Sequence, residues 1–276
     1  MKWAVAGADA YAYTGGKAFD GGLPCVVFLH GALHDHSVWT LAARWFAHHG
    51  FAVLAPDLPG HGRSAGAPLA TIESLADWLF ALLDAAGVRS AALVGHSMGS
   101  LIALEAAARA PARVERLVMV GTAYPMKVSP ALLDSARADA AAAIDNVNAF
   151  SHSSLAAKPA YPGPGTWLHG ANRALMRRMQ AGQPEGNLFL NDFEVCDRYQ
   201  GGLAAAARVD CPVTLVLGAR DQMTAPRQAG EIAKALHAGT VMLPAGHALQ
   251  SEAPDALLAA LRTALAAAPQ SGAAAP

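Results

Sequence analysis

A serine that could act as a nucleophile stands at the centre of the run Gly95-His96-Ser97-Met98-Gly99. An apolar run, 91–94, precedes it and a helix-like run, 100–106, follows it, which predicts a strand, a sharp turn and a helix. A serine in such a turn adopts a strained backbone conformation that projects its hydroxyl from the sheet. The flanking glycines allow strand and helix to approach closely. Ser97 is therefore the candidate nucleophile.

A serine hydroxyl is a poor nucleophile near neutral pH, so a histidine base and an acid that orients it must lie nearby. In open α/β sheets, ligands bind beyond the carboxyl ends of the strands, which favours residues that follow strand-like runs. Asp221 follows the run 213–217, and His247 follows the run 240–243. The order Ser, Asp, His is the one described for hydrolases with this serine turn.

These three residues predict a reaction at a carbonyl group. We expect His247 to take the proton of Ser97 as the hydroxyl attacks the carbonyl carbon, while Asp221 orients the imidazole and stabilises its charged form. An acyl-enzyme then forms, and water activated by the same histidine releases the acid. The chemistry expected from the sequence is cleavage of an ester, or a related acyl bond, of a small to medium substrate.

Short apolar runs alternate with amphipathic stretches near 38–49, 72–86, 226–236 and 252–267. This alternation predicts an α/β fold with a mainly parallel sheet flanked by helices on both faces. From 124 to 208 the alternation breaks into Ala-rich helical segments and a Pro/Gly-rich stretch, 158–165, which we interpret as an inserted helical cap, or lid. We therefore expect a core made of 1–123 and 209–267, and a disordered tail at 268–276.

Three further segments resemble those of the α/β-hydrolase superfamily. His30-Gly31-Ala32 resembles its oxyanion loop, 57–64 resembles its D-x-P-G-x-G-x-S segment, and Gly246-His247 with 252–254 resembles the region of its catalytic histidine. The chain is identified by resemblance as a serine esterase-like member with a helical cap. The resemblance implies an α/β-hydrolase fold, with the backbone amides of Ala32 and Met98 as the oxyanion hole. The amide of Met98 would lie at a helix N-terminus, where the dipole favours negative charge.

Several relatives within this superfamily are disfavoured by the residues present. Haloalkane dehalogenases and epoxide hydrolases have Asp where this chain has Ser97. Proline iminopeptidases differ from this chain at Met98, and meta-cleavage carbon-carbon hydrolases differ from it at His96 and Ala248. A carboxylesterase is the leading hypothesis. A carbon-carbon (diketone-type) hydrolase, a cofactor-free perhydrolase or haloperoxidase, and a non-catalytic ligand receptor on the same fold are the alternatives.

Four other residues are candidate substrate contacts. His34 follows the oxyanion loop at the expected pocket mouth, and Phe150, His152 and Trp167 flank the Pro/Gly-rich stretch that the cap could place over Ser97. The aromatic residues could instead pack the cap onto the sheet domain. The spacing of His34-Asp35-His36 does not match a zinc site, so we expect no metal, and the proposed chemistry needs no cofactor.

Composition restricts the partners. The chain has 20 Lys and Arg residues against 21 Asp and Glu residues and a formal net charge of −1, so neither nucleic acid nor a membrane surface is an expected partner. The three cysteines show no C-x-x-C spacing and are expected to be buried free thiols. With no leader and no membrane-length apolar run, we expect a cytoplasmic protein that acts on a small acyl substrate. The oligomeric state stays open.

Overall fold

The computed structural model describes residues 1–154, 167–183 and 186–266. The Pro/Gly-rich stretch 158–165 and the tail 268–276 lie outside the described residues, so the disorder expected for the tail stays a prediction.

Eight strands within the described ranges form one sheet, in the order β1-β2-β4-β3-β5-β6-β7-β8. Their bounds are β1 Lys2–Val5, β2 Ala8–Tyr13, β3 Cys25–Leu29, β4 Ala52–Pro56, β5 Ala91–His96, β6 Val114–Val120, β7 Val213–Gly218 and β8 Gly239–Leu243. The strands β3 to β8 pair in parallel, whereas β2 pairs antiparallel with both β1 and β4. The predicted mainly parallel α/β sheet is confirmed.

The two N-terminal strands have no apolar run that is continuous over their whole length in the sequence. Both strands, β1 and β2, mix exposed, half-buried and buried residues, so they lack the continuous apolar run that the fully buried strands β3 and β4 display. Such runs are typical of parallel strands covered on both faces, whereas an antiparallel edge can face water on one side.

Helices cover both faces of the sheet. They are α1 Thr40–Ala47, α2 Ile72–Ala85, α3 Met98–Arg109, α4 Pro130–Ala138, α5 Ala140–Ser151, α6 Leu168–Ala181, α7 Leu188–Arg198, α8 Gly202–Ala206, α9 Gly230–Ala235, α10 Leu249–Glu252 and α11 Pro254–Leu265. Alternate strand residues face opposite sides: Val27 and Leu29 pack beneath α2 and α3, while Val26 and Phe28 pack against α1 and α11. The interior is therefore two apolar layers separated by the sheet.

The helices α4 to α8 lie between β6 and β7 in the chain. We call α4 to α7 the cap helices; they enclose a third apolar cluster, which includes Ile144, Val147, Met176 and Phe189. Residues 195–206 contribute instead to the apolar cluster beneath α2 and α3, so the chain rejoins the main core before residue 209. The domain boundaries drawn from the sequence stay predictions. No helix in the described ranges is long and apolar enough to cross a membrane.

Candidate active site

Ser97 forms the turn between β5 and α3, with φ 52° and ψ −120°. A positive φ is unusual for a residue with a side chain, and the strain persists only because the surroundings hold it. A Cβ atom on Gly95 would lie 2.1 Å from the carbonyl oxygen of Gly99, and one on Gly99 would lie 2.6 Å from that of Leu29. Both glycines therefore permit the close packing that holds the turn.

Asp221 and His247 follow β7 and β8, and their side chains meet. The Nδ1–H of His247 donates to Oδ2 of Asp221 at 2.8 Å. The same carboxylate accepts the hydroxyl of Thr224 at 2.7 Å and the amides of Met223 and Thr224, each at 2.8 Å. These bonds hold the carboxylate in one orientation towards the imidazole.

Burial by itself would raise the pKa of the Asp221 carboxyl. The charge of His247, its hydrogen bond and the bonds from Thr224 outweigh burial, so the pKa is lowered from its ordinary value. Asp221 is therefore ionised at neutral pH. A charged carboxylate can stabilise the imidazolium that forms when His247 accepts a proton.

Ser97, Ala32 and His247 line one small cavity at the carboxyl edge of the sheet. Met98 is the first residue of α3, so its amide has no acceptor within the helix and lies at the positive end of the helix dipole. The structure thus brings together the residues predicted as nucleophile, acid, base and oxyanion-hole donors. Their catalytic roles stay a proposal.

His96, the residue directly before the candidate nucleophile, contacts the loop of the candidate base. Its Nε2–H donates to the carbonyl oxygen of His247 at 2.9 Å, and the two rings are 4.7 Å apart. Burial, and then the neighbouring His247, lower the pKa of His96 well below its ordinary value. The ring is therefore neutral, with Nε2 carrying the proton.

The loop that carries His247 is also attached to the end of α5. The amide of Ala248 donates to the carbonyl oxygen of Ser151 at 2.9 Å, and the carboxylate of Glu252 accepts from the amide of Ser153 at 2.8 Å. Glu252 accepts from the amide of Gly246 as well. A Cβ on Gly246 would lie 2.7 Å from the nitrogen of Ser153, so the two segments approach as closely as a glycine allows.

A buried carboxylate of a cap helix binds the loops that follow β3 and β4, and it forms an ion pair with the loop after β4. Asp192 of α7 accepts the Nε2–H of His61 and the amide of Leu33, each at 2.9 Å. Burial would raise the pKa of Asp192, but the charge and hydrogen bond of His61 lower it; burial would lower the pKa of His61, but Asp192 raises it. These opposite shifts favour the charged form of both members of the pair. Sequence reasoning missed it because 131 residues separate its members.

Two cavities adjoin His247. The larger has a volume of about 590 Å³ and the smaller about 60 Å³. They share His34, His96, Ser151 and His247 as walls. Only the smaller is also lined by Ser97 and the oxyanion loop. The two cavities thus meet at the candidate base.

The predicted substrate contacts lie in different places. His34 lines both cavities and donates from Nε2 to Oδ1 of Asn172 at 2.8 Å. Phe150 and Trp167 are 47% and 45% exposed, His152 is buried, and none of the three is among the described residues that line either cavity. A role for these four residues in binding substrate stays a prediction.

Asp35, His36 and Asp57 bring potential metal-ligating atoms within 4.8 Å of one another. Oδ1 of Asp57 accepts from the amide and from Nδ1 of His36, each at 2.7 Å, and Oδ2 accepts from the amide of Arg63 at 2.8 Å. Asp35 accepts from the amide of Ser37 at 2.9 Å and from Arg178 at 2.8 Å. These carboxylates therefore organise the loops that carry them.

Comparison with known proteins gives a consistent family. A family model described as alpha/beta hydrolase fold matches residues 24–254. The enol-lactonase of Burkholderia xenovorans superposes with a TM-score of 0.78 at 23% identity, covering 96% of this chain and 99% of that one. A hydrolase of Pseudomonas aeruginosa superposes with a TM-score of 0.77 at 25% identity, covering 97% and 98%. These neighbours share the fold over nearly their whole length.

Curated relatives match over shorter segments. Lipase LipV of Mycobacterium tuberculosis is 36% identical over 129 residues, which are 42% of this chain and 48% of the relative. The dihydrolipoyllysine-residue acetyltransferase component of an acetoin cleaving system from Pseudomonas putida is 38% identical over 109 residues, 38% of this chain and 28% of the relative. The chain thus spans less than half the length of these two relatives.

Proposed function

The chain belongs to the α/β-hydrolase fold family, and from that premise we propose that it is a serine hydrolase that cleaves carboxylic esters through an acyl-enzyme. One observation carries the proposal. The Nδ1–H of His247 is bound to the Asp221 carboxylate at 2.8 Å, and His247 and Ser97 line the same small cavity. A histidine held in this tautomer leaves Nε2 free to accept a proton.

In the first half of the reaction, Oγ of Ser97 attacks the carbonyl carbon of the ester and its proton passes to Nε2 of His247. The carbonyl π electrons move to oxygen, where the amides of Ala32 and Met98 donate to the developing negative charge. The carbon–oxygen bond to the alcohol then breaks, and His247 returns the proton to the departing oxygen. The alcohol leaves, and the acyl group stays esterified to Ser97.

In the second half, water attacks the acyl carbon and gives a proton to Nε2 of His247. The tetrahedral oxyanion collapses, the bond to Oγ breaks, and His247 protonates the released serine oxygen. The carboxylic acid departs and the enzyme is restored. Asp221 stays ionised through both halves, which its lowered pKa favours.

The names of the relatives support this chemistry. Besides the M. tuberculosis lipase, a putative esterase/lipase of Haemophilus influenzae is 30% identical over 97 residues. A putative non-heme haloperoxidase of Mycobacterium phage D29 is 36% identical over 99 residues, which favours perhydrolysis as a second candidate activity. In that reaction hydrogen peroxide replaces water as the attacker of the same acyl-enzyme and gives a peracid.

The test is turnover of p-nitrophenyl acetate by the purified chain, its Ser97→Ala variant and the matched control Ser135→Ala, which removes a half-buried hydroxyl on α4 that lines neither cavity. We expect Ser97→Ala to lower kcat by roughly three orders of magnitude and the control to leave it unchanged. Full turnover by Ser97→Ala would overturn the proposal. Turnover of diketones alone would replace it with carbon-carbon hydrolysis, and folded protein with no turnover at all would favour a ligand receptor.

A further inference from the structure

The two cavities beside His247 differ about tenfold in volume, 60 Å³ against 590 Å³. Resting on the proposed ester hydrolysis, we propose that the substrate is an ester of a short, uncharged carboxylic acid with a larger and mainly apolar alcohol. The acid part occupies the smaller cavity, here called the acyl cavity. The alcohol part occupies the larger cavity, here called the alcohol cavity.

The nucleophile decides where the carbonyl group lies. Ser97, Gly31 and Ala32 line the acyl cavity, and none of them lines the alcohol cavity. The scissile carbon must reach Oγ of Ser97 while its oxygen reaches the oxyanion amides, because attack requires contact distance and alignment. The carbonyl group therefore lies in the acyl cavity, and the chain attached to its carbon extends among that cavity's walls.

The base decides where the leaving group lies. His247 must deliver a proton to the departing oxygen, so that oxygen lies against the imidazole on the side away from the acyl chain. His247 lines both cavities, and the residues that follow it, Ala248, Gln250 and Ser251, line only the alcohol cavity. The alcohol therefore extends past His247 into the larger space.

The acyl cavity is small and its walls are fixed. Its volume equals the share of about two molecules in liquid water, so it accommodates only a short acyl chain. Val147, Met176 and Phe193 line it and belong to the buried cluster of the cap helices, so widening it would disturb close-packed side chains. The ammonium of Lys127, also at its wall, donates to the carbonyl oxygen of Asp197 at 3.0 Å. The carboxylate of Asp197, whose Oδ1 lies 3.7 Å from this ammonium, already balances its charge, so an uncharged acyl group leaves the pair intact.

The alcohol cavity is roomy and its wall area is mainly apolar, although Nε2 of Gln250 at its wall has no hydrogen-bond partner among the described residues. Val38, Leu41, Leu168 and Leu175 supply apolar walls. Asn172 bonds to His34 and to Asn148, each at 2.8 Å, and Arg178 at the rim donates to Asp35 at 2.8 Å. An apolar alcohol gains the burial of its surface here without displacing a charge.

A pair of isomeric esters tests the assignment without any mutation. Benzyl acetate carries its ring on the alcohol side, whereas methyl phenylacetate carries the same ring on the acyl side. We expect the wild-type enzyme to favour benzyl acetate in kcat/KM by about tenfold or more, the discrimination typical of a fit or misfit in an apolar pocket. Equal values, or a preference for methyl phenylacetate, would overturn the assignment.

Variants locate the effect. Met176→Ala enlarges the acyl cavity and should raise the ratio of kcat/KM for p-nitrophenyl hexanoate over the acetate by about tenfold. If Met176→Ala does not fold, Val128→Ala, at a half-buried wall of the same cavity, should raise the same ratio.

Ala171→Phe narrows the alcohol cavity and should lower the ratio of kcat/KM for benzyl acetate over ethyl acetate. Leu203→Ala on α8, which lines neither cavity, is the control and should change neither ratio. An unchanged hexanoate ratio in both enlarged variants would contradict the proposal.

The outcomes separate this inference from the proposed function. Ser97-dependent turnover with the reversed preference between the isomers would overturn only the cavity assignment. Folded wild-type protein that hydrolyses none of these esters would overturn the proposed function, and the cavity assignment with it.

Discussion

The Nε2–H of His96 donates a 2.9 Å hydrogen bond to the backbone carbonyl oxygen of His247. The residue directly before the candidate nucleophile thus holds the loop that carries the candidate base. Because burial keeps His96 neutral, its ring adds no positive charge beside the imidazolium that His247 becomes during the reaction. The serine turn and the histidine loop are therefore coupled through one neutral imidazole.

Removal of this hydrogen bond should lower the activity more than it lowers the thermal stability, because the bond positions His247. We expect His96→Ala to lower kcat/KM for p-nitrophenyl acetate by up to about a hundredfold, because a small displacement of His247 spoils proton transfer. His96→Gln, which retains a donor of similar reach, should recover most of the loss. Steady-state kinetics of both variants beside thermal unfolding checks this. An alanine variant with wild-type kcat/KM would remove His96 from the account as a positioning residue.

The Asp221 carboxylate should matter mainly through the tautomer of His247. Asp221→Asn keeps the shape of the side chain but presents an amide to Nδ1, so kcat should fall by about three to four orders of magnitude. The matched control is Asp210→Asn, which changes an exposed carboxylate just before β7 and should leave kcat unchanged. Comparable kcat values for the two variants would contradict the assigned role of Asp221.

The His61–Asp192 pair should give stability a defined dependence on pH. The lowered pKa of Asp192 contributes stability that is present above pH 3.8 and is lost as the pH falls through the lowered value. The raised pKa of His61 contributes stability that is present below pH 6.5 and is lost as the pH rises through the raised value. Asp192→Asn should therefore lower the free energy of unfolding by about 3 kcal/mol or more near pH 5.5 and by less near pH 8.5.

Urea unfolding at both pH values measures this difference. The control is Asp134→Asn, which breaks an exposed ion pair with Arg137 at 2.8 Å and should cost less than about 1 kcal/mol at either pH. A loss for Asp192→Asn that grows towards pH 8.5 would show that the pair is not charged in the folded protein.

The rings of His30 and His61 are 5.0 Å apart, and their pKa values should be shifted in opposite directions. Burial, and then His61, lower the pKa of His30 to about 4, whereas Asp192 raises the pKa of His61. Because the folded pKa of His30 lies below the unfolded 6.5, its contribution to stability is present above pH 6.5 and is lost as the pH falls towards 4. NMR titration should find His30 neutral and His61 charged at pH 6, and a charged His30 would contradict the network.

Features that depend on residues adjacent in the sequence could be predicted. The apolar runs before Ser97, Asp221 and His247 are β5, β7 and β8, so the position of each residue after its strand could be predicted from the sequence. The turn at Ser97 is encoded within the five residues 95–99, because a strained backbone requires small neighbours such as Gly95 and Gly99.

The remainder depends on contacts between distant segments. Asp192 lies in an amphipathic cap helix, and its neighbours in the sequence give no sign that it binds His61 and the amide of Leu33. Thr224 also escaped notice, although an Asp-x-x-Thr spacing after a strand is compatible with the turn that it makes with Asp221. The sizes of the two cavities follow from how the cap helices pack, which no local pattern encodes.

Mass spectrometry of the chain after treatment with a fluorophosphonate, which forms a stable bond with an activated serine, tests the proposed role of Ser97 most directly. We predict one adduct in the folded wild-type protein, located at Ser97 within the tryptic fragment 90–109, and none in Ser97→Ala or His247→Ala. The absence of an adduct from the folded wild-type protein, or an equal adduct in Ser97→Ala, would contradict this role.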